Sequence, residues 1–252
     1  MQTHLIHCSY HKCLTVYFSR VMHAVFNRCL PWSSGYQHFN SDVKAFYAAL
    51  GQNRLSSVNN HVLDLQQLGD FRLTRFIRDP RDLLVSGYFY HRRGSEPWCT
   101  IDNPQAADWE HANGQIPAGL SAAGGSFAHY LQTVDKEQGL LAEMEFRSPH
   151  FDSMQGWPDQ HKHILLFRYE DMPGRELEVF NAIFDHYGLS SREQRLGRFF
   201  ADRYSLARRS KKDRHIRNPS SGQWRQHFTP KIAAAFQERW GDLICQLGYP
   251  ET

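Results

Sequence analysis

The sequence has no long hydrophobic run, and this absence is informative about the cellular location that we expect for the protein. No apolar stretch approaches the roughly 18 residues that a transmembrane helix requires. The N-terminal segment, MQTHLIHCSYHK, lacks the basic and then apolar regions of a secretory signal peptide. Cysteine is also scarce, with five residues, an odd number, and no CxxC pair. These absences favour a cytoplasmic protein with reduced thiols and no stable membrane insertion.

The chain also has only a small excess of positive over negative charge. The chain has 29 Lys plus Arg against 26 Asp plus Glu, so its net charge is only +3 at pH 7. A protein that binds DNA or RNA through its bulk charge carries a larger excess. We therefore expect no nucleic-acid partner, although a basic cluster at 208–217 keeps a nucleic-acid-binding domain open as an alternative.

Alternating strand and helix patterns indicate the fold class. Short apolar runs at 4–8, 73–77 and 163–167 predict buried strands. Segments with helical spacing or helix-start signals lie between and after them, at 15–29, 41–50, 81–91, 126–146, 174–187, 190–203 and 230–247. This order predicts an α/β fold with a mainly parallel β-sheet and helices on both faces. We expect one domain over 1–252, with a loop-rich region at 92–125.

A loop suited to phosphate, yet without glycine, lies within residues 6–18, IHCSYHKCLTVYF. A strand leads through a short polar loop into the start of a helix, and Lys12 and Thr15 lie in this connection. Backbone N–H groups and the helix dipole favour an anion at such a terminus. Lys12 adds a full positive charge. The layout predicts a phosphate site, with a simple surface lysine as the alternative.

Two further interpretations of this stretch stay open. A P-loop kinase or NTPase would need a Ser or Thr at position 13 to hold magnesium, and the chain has Cys13 there. A zinc site is the other, because His4, His7, Cys8 and His11 have the spacing of one helical face. The apolar run argues for a strand, which would scatter those four side chains.

Two more motifs carry side chains that bind anions. In FIRDPRDLLVSGY (76–88), Arg78 follows a predicted strand and Ser86 lies two helical turns further on. The alternative there is a salt-bridged helix start, with Asp79 and Asp82 near the helix N-terminus. In HIRNPSSGQWRQHFT (215–229), Arg217 follows a basic run and precedes Trp224.

Taken in order, these motifs resemble those of the cytosolic-type sulfotransferases. SYHKCLTVYF is similar to their 5′-phosphosulfate loop and RDPRDLLVSGY to their 3′-phosphate signature. RYED after the strand HILLF, and RNPSSGQWRQHFT, resemble two later family elements. The resemblance runs from residue 9 to 229. It implies a P-loop-like nucleotide-binding fold and the cofactor 3′-phosphoadenosine 5′-phosphosulfate (PAPS), with adenosine 3′,5′-bisphosphate (PAP) as product and no metal required. The implied reaction is in-line transfer of a sulfuryl group to an acceptor hydroxyl or amine.

The resemblance also assigns roles to individual residues. Lys12 and His61 are the implied catalytic residues, Lys12 acting on the departing phosphate oxygen and His61 as general base. The family loop is commonly KSGTTW, so Leu14 replaces its glycine, and Tyr17 takes the position that stacks on adenine. The implied cofactor-binding residues are His11, Lys12, Cys13, Leu14, Thr15, Val16, Tyr17, Arg78, Ser86, Tyr169, Arg217 and Asn218.

The acceptor and the oligomeric state are less constrained. We expect residues 92–125, with Trp98 and Trp109, to line the acceptor pocket together with Tyr36, His38 and Phe39, and 205–229 to form a basic lid. A small molecule, a glycan or a lipid would each fit as acceptor. The family dimer segment KxxFTVxxxE is degenerate here, RQHFTPKIAAA, which leaves the oligomeric state open.

Overall fold

The structure, a computed structural model, describes residues 3–30, 35–208 and 220–250. The chain divides into two compact units. One comprises Met1–Ile77 with Pro158–Ile216, and the other comprises Arg78–Trp157 with Arg217–Thr252. Among the described residues, no helix combines the length and the apolar character needed to cross a bilayer.

The first unit contains a five-stranded sheet in which every pairing is parallel. The strands are β1 (His4–Ser9), β2 (Tyr36–His38), β3 (Leu55–Asn59), β4 (Phe71–Ile77) and β5 (Ile164–Arg168). Their order is β2-β3-β1-β4-β5, which places β1 at the centre. Parallel neighbours need crossover connections, and helices provide several of them here. The predicted α/β fold with a parallel sheet is therefore confirmed.

Eleven α-helices are present in the described part of the chain. They are α1 (Thr15–His23), α2 (Val43–Ala48), α3 (Pro80–His91), α4 (Ala118–Ala123), α5 (Phe127–Thr133), α6 (Lys136–Phe146), α7 (Ser148–Gln155), α8 (Glu176–Tyr187), α9 (Ser191–Arg203), α10 (Trp224–His227) and α11 (Pro230–Gln246). The predicted helix at 15–29 continues after α1 as a π-helical segment, Ala24–Cys29. The predicted helix at 126–146 was wrong as one element, because Asp135 caps a new helix by accepting a hydrogen bond from the Gln138 N–H.

Two strands were not predicted. β2 has only three residues, and β3 has the sequence LSSVN, whose serines and asparagine hide the apolar pattern of a buried strand. All five residues of β3 are nevertheless buried. Sheet pairing and tertiary burial override the local composition here.

The centre of the first unit contains a buried polar network. His7 is fully buried and stacks on Phe18, with ring centroids 3.6 Å apart. Its Nδ1 lies 2.9 Å from Thr74 Oγ1, and the Tyr187 hydroxyl beside Thr74 donates to the Ile6 carbonyl. Because β1 is a strand, His7 and its neighbours do not share the helical face on which the zinc interpretation depends.

Candidate functional site

The carboxyl ends of the central strands meet at one edge of the sheet. Ser9, the last residue of β1, pairs in register with Asn59 of β3 and with Phe76 of β4. The loop of residues 10–14 leaves β1 at this edge and leads into α1. Ligands of open α/β sheets bind at this edge, so the loop occupies the position expected of a binding site.

The backbone of this loop has an unusual conformation. Lys12 has φ 77° and Leu14 has φ 60°, while Cys13 between them is not in the left-handed region. Alternation of left-handed residues with others is the kind of backbone that turns successive N–H groups toward one side, as in anion-binding concavities. Two N–H groups of this loop are bonded within the protein: His11 N–H donates to Asn60 Oδ1 and Cys13 N–H to the Tyr10 carbonyl, both at 2.9 Å.

The N-terminus of α1 is also suited to an anion. Leu14, at the N-cap, provides no side-chain hydrogen bond, and no acidic residue lies in the first turn. Lys12 precedes the helix, and Thr15 is its first residue. The Thr15 hydroxyl lies 2.8 Å from Ser9 Oγ. The donor set of ammonium, hydroxyl and helix N-terminus therefore fits a phosphate group.

The other predicted residues of the loop differ in their exposure. Cys13 is fully buried, whereas Val16 is 45% exposed. Tyr17 is only 1% exposed, and its hydroxyl donates to the Ala201 carbonyl at 2.7 Å. Tyr169, which follows β5, is buried as well. Both tyrosine rings are covered in this structure, so adenine stacking on Tyr17 and a role for Tyr169 stay predictions.

His61 lies two residues beyond β3, on the segment adjacent to the loop. Its Nε2 is 2.8 Å from the Ser41 carbonyl oxygen. A carbonyl can only accept, so Nε2 carries the proton and Nδ1 is the nitrogen able to take up another. Burial lowers the pKa of His61, and the Ser41 hydrogen bond and Asp42 partly oppose this effect. The imidazole is thus neutral at pH 7, as a general base requires.

In the second unit, Arg78 and Ser86 lie at the start and on the second turn of α3. Arg78 is buried, with 3% of its surface exposed, and Ser86 is half-buried. Asp79 caps α3 by accepting from the Arg81 N–H, and its carboxylate also binds the Arg81 guanidinium at 2.8 Å. The salt-bridged helix start is therefore present. It involves Arg81 and leaves the role of Arg78 a prediction.

Asp82 connects α3 to the C-terminal segment, and sequence reasoning did not assign it this role. Its two carboxylate oxygens accept from the N–H groups of Gly222 at 2.6 Å and Trp224 at 2.9 Å. The Arg81 guanidinium lies over the Trp224 ring at 3.9 Å. Burial raises the pKa of Asp82, while these N–H groups and the charge of Arg78 lower it.

Part of the predicted lid lies outside the residues that the structure describes. Arg217 and Asn218 lie outside the described residues, as does most of the basic run between 208 and 220. The lid over 205–229 and the binding roles of Arg217 and Asn218 therefore stay predictions.

The two tryptophans of the predicted acceptor region pack inside the second unit. Trp98 stacks on Phe146 at 4.9 Å, and Trp109 lies edge-on to Trp98 at 5.2 Å. Trp109 is only 1% exposed. Beside this cluster, the fully buried Glu143 binds His91 at 2.8 Å and Arg147 at 2.7 Å. These contacts explain the aromatic content of the region by packing, and its acceptor role stays a prediction.

Comparison with known proteins identifies one family. Residues 3–248 match the model of the sulfotransferase domain. A search of curated proteins gave no significant match.

Solved structures share the fold at low sequence identity. Mouse sulfotransferase SULT7A1 complexed with PAP is 15% identical, with a TM-score of 0.56, over 96% of this chain and 84% of that one. Retinol dehydratase in complex with androsterone and inactive cofactor PAP gives the same identity and TM-score, over 98% and 83%. Retinol dehydratase with retinol and PAP gives equal values. Because the family model spans nearly the whole chain, this protein belongs to the sulfotransferase family and is a sulfuryl-transferring enzyme.

Proposed function

We propose that this sulfotransferase uses PAPS and that residues 10–15 hold its 5′-phosphate. The observation that carries the proposal is the loop conformation. Lys12 and Leu14 adopt left-handed φ angles, as an anion-binding concavity requires, directly before an α-helix whose first turn has no acid. The solved structures of this fold named above are complexes with PAP.

The residues of the first unit suggest a division of labour. PAPS would supply the sulfuryl group and be left as PAP. The Lys12 ammonium would offset negative charge on the bridging phosphate oxygen, and the α1 N-terminus with Thr15 would bind the phosphate. His61 Nδ1 would accept the proton of the acceptor hydroxyl, because Ser41 holds the other ring nitrogen protonated.

Arg78 and Ser86 are proposed to bind the 3′-phosphate, as the family resemblance implies. The guanidinium of Arg78 can form two parallel hydrogen bonds to a phosphate, and Ser86 can donate a third. We also propose one cytoplasmic domain acting on a small molecule, glycan or lipid. A hydroxyl-bearing small molecule is favoured, since one retinol dehydratase structure of this fold holds retinol and another androsterone.

Ligand-dependent thermal unfolding and calorimetric titration test the proposal. PAP at about a hundred times its Kd should add roughly 2.7 kcal/mol of stability, which at this size raises Tm by about 5–10 °C. Lys12→Ala should weaken PAP binding roughly 10- to 150-fold, since a hydrogen bond to a charged group is worth about 1.5–3 kcal/mol. Lys44→Ala, an exposed lysine on α2, is the matched control and should bind like wild type.

Adenosine 5′-monophosphate separates the two phosphate sites, because it lacks the 3′-phosphate. Arg78→Ala should weaken PAP binding and leave binding of the monophosphate unchanged, whereas Lys12→Ala should weaken both. Stabilisation by magnesium ATP, with no response to PAP, would contradict the proposal and favour a kinase.

A further inference from the structure

A chain of hydrogen-bonded side chains leaves Thr15 and crosses the carboxyl edge of the sheet. Ser9 Oγ lies 2.8 Å from Thr15 Oγ1 and donates to Asn59 Oδ1 at 2.8 Å. Ser9 is 1% exposed and Asn59 is 8% exposed. Two polar side chains that are this deeply buried need internal hydrogen-bond partners. Ser9 and Asn59 bond to each other, and Ser9 also contacts the cofactor loop, the residues 10–15 proposed to hold the 5′-phosphate.

The direction of this chain follows from its chemistry. A serine hydroxyl has one proton, which Ser9 gives to Asn59, so the single Thr15 proton has two acceptors to choose from, Ser9 Oγ and the Tyr10 carbonyl. The other contact of Thr15, with the Tyr10 carbonyl, is longer at 3.3 Å.

His38, at the end of β2, orients the amide of Asn59. Asn59 Nδ2 lies 3.5 Å from His38 Nε2, and His38 Nδ1 lies 2.8 Å from Ser57 Oγ. Burial lowers the pKa of His38 to about 4, so its ring is neutral and one nitrogen accepts. With Nε2 as acceptor, the NH₂ group of Asn59 points toward His38 and Oδ1 points toward Ser9.

We propose that Asn59 is a positioning residue for the cofactor loop, acting through Ser9 to hold the Thr15 hydroxyl at the start of α1. The inference rests on the proposed role of Thr15 in binding the 5′-phosphate. A phosphate at this position accepts the hydrogen bond of the Thr15 hydroxyl, so Ser9 must then donate to Thr15 Oγ1. Ser9 Oγ accepts in turn from the NH₂ group of Asn59, which turns toward it. The change reaches Asn59 and His38 through the same chain.

Three variants and one control separate this role from simple support of the fold. Thr15→Val and Ser9→Ala each remove one hydroxyl, and Asn59→Leu removes the acceptor at similar volume. Ser19→Ala is the matched control for the Kd only, because the Ser19 hydroxyl contacts the Tyr36 hydroxyl at 2.7 Å and not the loop, while Tyr36 and Ser57 connect it to His38. The readouts are the Kd for PAP, by calorimetry, and the ¹⁵N shifts of the His38 ring, assigned by their loss in His38→Gln.

Ser9→Ala and Asn59→Leu should each raise the Kd for PAP about fivefold, the effect of one neutral hydrogen bond. Adding Ser9→Ala to Thr15→Val should cause little further loss, and Ser19→Ala should bind like wild type. PAP should shift the His38 ¹⁵N resonances in wild type and leave them unchanged in Ser9→Ala.

Two results would overturn the proposal in different ways. If Thr15→Val binds PAP normally, the proposed role of Thr15 is wrong, and the hydrogen bonds from Asn59 through Ser9 have no binding residue to position. If Thr15→Val weakens binding while Ser9→Ala and Asn59→Leu bind like wild type, only the positioning role of Asn59 is wrong. A His38 shift that persists in Ser9→Ala would also contradict it.

Discussion

A residue with a Cβ at position 14 should make the protein less stable than glycine there, and comparing two variants measures the sign of this difference. The φ of 60° and ψ of 18° of Leu14 are left-handed, which costs a residue with a Cβ about 1–2 kcal/mol. Alanine regains about 0.4–1 kcal/mol over glycine by restricting the unfolded chain. Leu14→Gly should therefore be more stable than Leu14→Ala by about 0.5–1 kcal/mol, or roughly 1–4 °C in Tm.

Comparing glycine with alanine removes the contribution of the leucine side chain, because both variants lack it. Arg20, exposed on α1, is the control site. In a regular helix, alanine exceeds glycine by about 1 kcal/mol, so the order should reverse between the two positions. Thermal and urea unfolding of the four variants measure it. Greater stability of alanine at both positions would refute the left-handed conformation of Leu14.

Three other predictions concern pH and the second unit. Because burial lowers the pKa of His61, the wild-type kcat should stay near its neutral-pH value as pH falls below 6.5. His61→Ala should lose most of the wild-type kcat, and pH–rate profiles of the two enzymes measure both effects. Asp82→Asn should lower the free energy of urea unfolding by about 2 kcal/mol, since its NH₂ group would face a backbone N–H; the helix cap Asp135→Asn should be nearly neutral. Gly87→Ala should cost about 1–3 kcal/mol, although alanine favours helices, because its Cβ would overlap Arg147 and Glu143; a Tm equal to wild type would contradict this packing.

The parts of the fold that could be predicted are those encoded locally. β1, β4 and β5 each contain several apolar residues within a short span, and α3 begins with an acidic cap and a proline, so each can be recognised from a few residues. β3 could not be recognised because Ser56 and Ser57 are buried by hydrogen bonding and sheet pairing rather than by apolar character. Its neighbour β2 is too short to show a periodicity.

The candidate site divides in the same way. Lys12 and Thr15 lie within one local motif, so a single stretch of sequence identified them. Asp82 accepts from Gly222, which is 140 residues away in the chain, and no local pattern relates the two. Asn59 and Asn60 support the loop only because the register of β1 and β3 places them beside it. A sequence-based search would need the strand pairing first.

The loop needs particular φ angles rather than glycine itself, and tertiary contacts impose those angles here. The bonds from His11 to Asn60 and from Cys13 to Tyr10 hold the backbone on both sides of Lys12, and Cys13 is fully buried. A backbone held in this way retains an unfavourable conformation at the expense of global stability. Leu14→Gly should therefore raise stability relative to Leu14→Ala while both variants bind PAP with similar affinity. A loss of PAP affinity in both would show instead that the leucine side chain shapes the phosphate site.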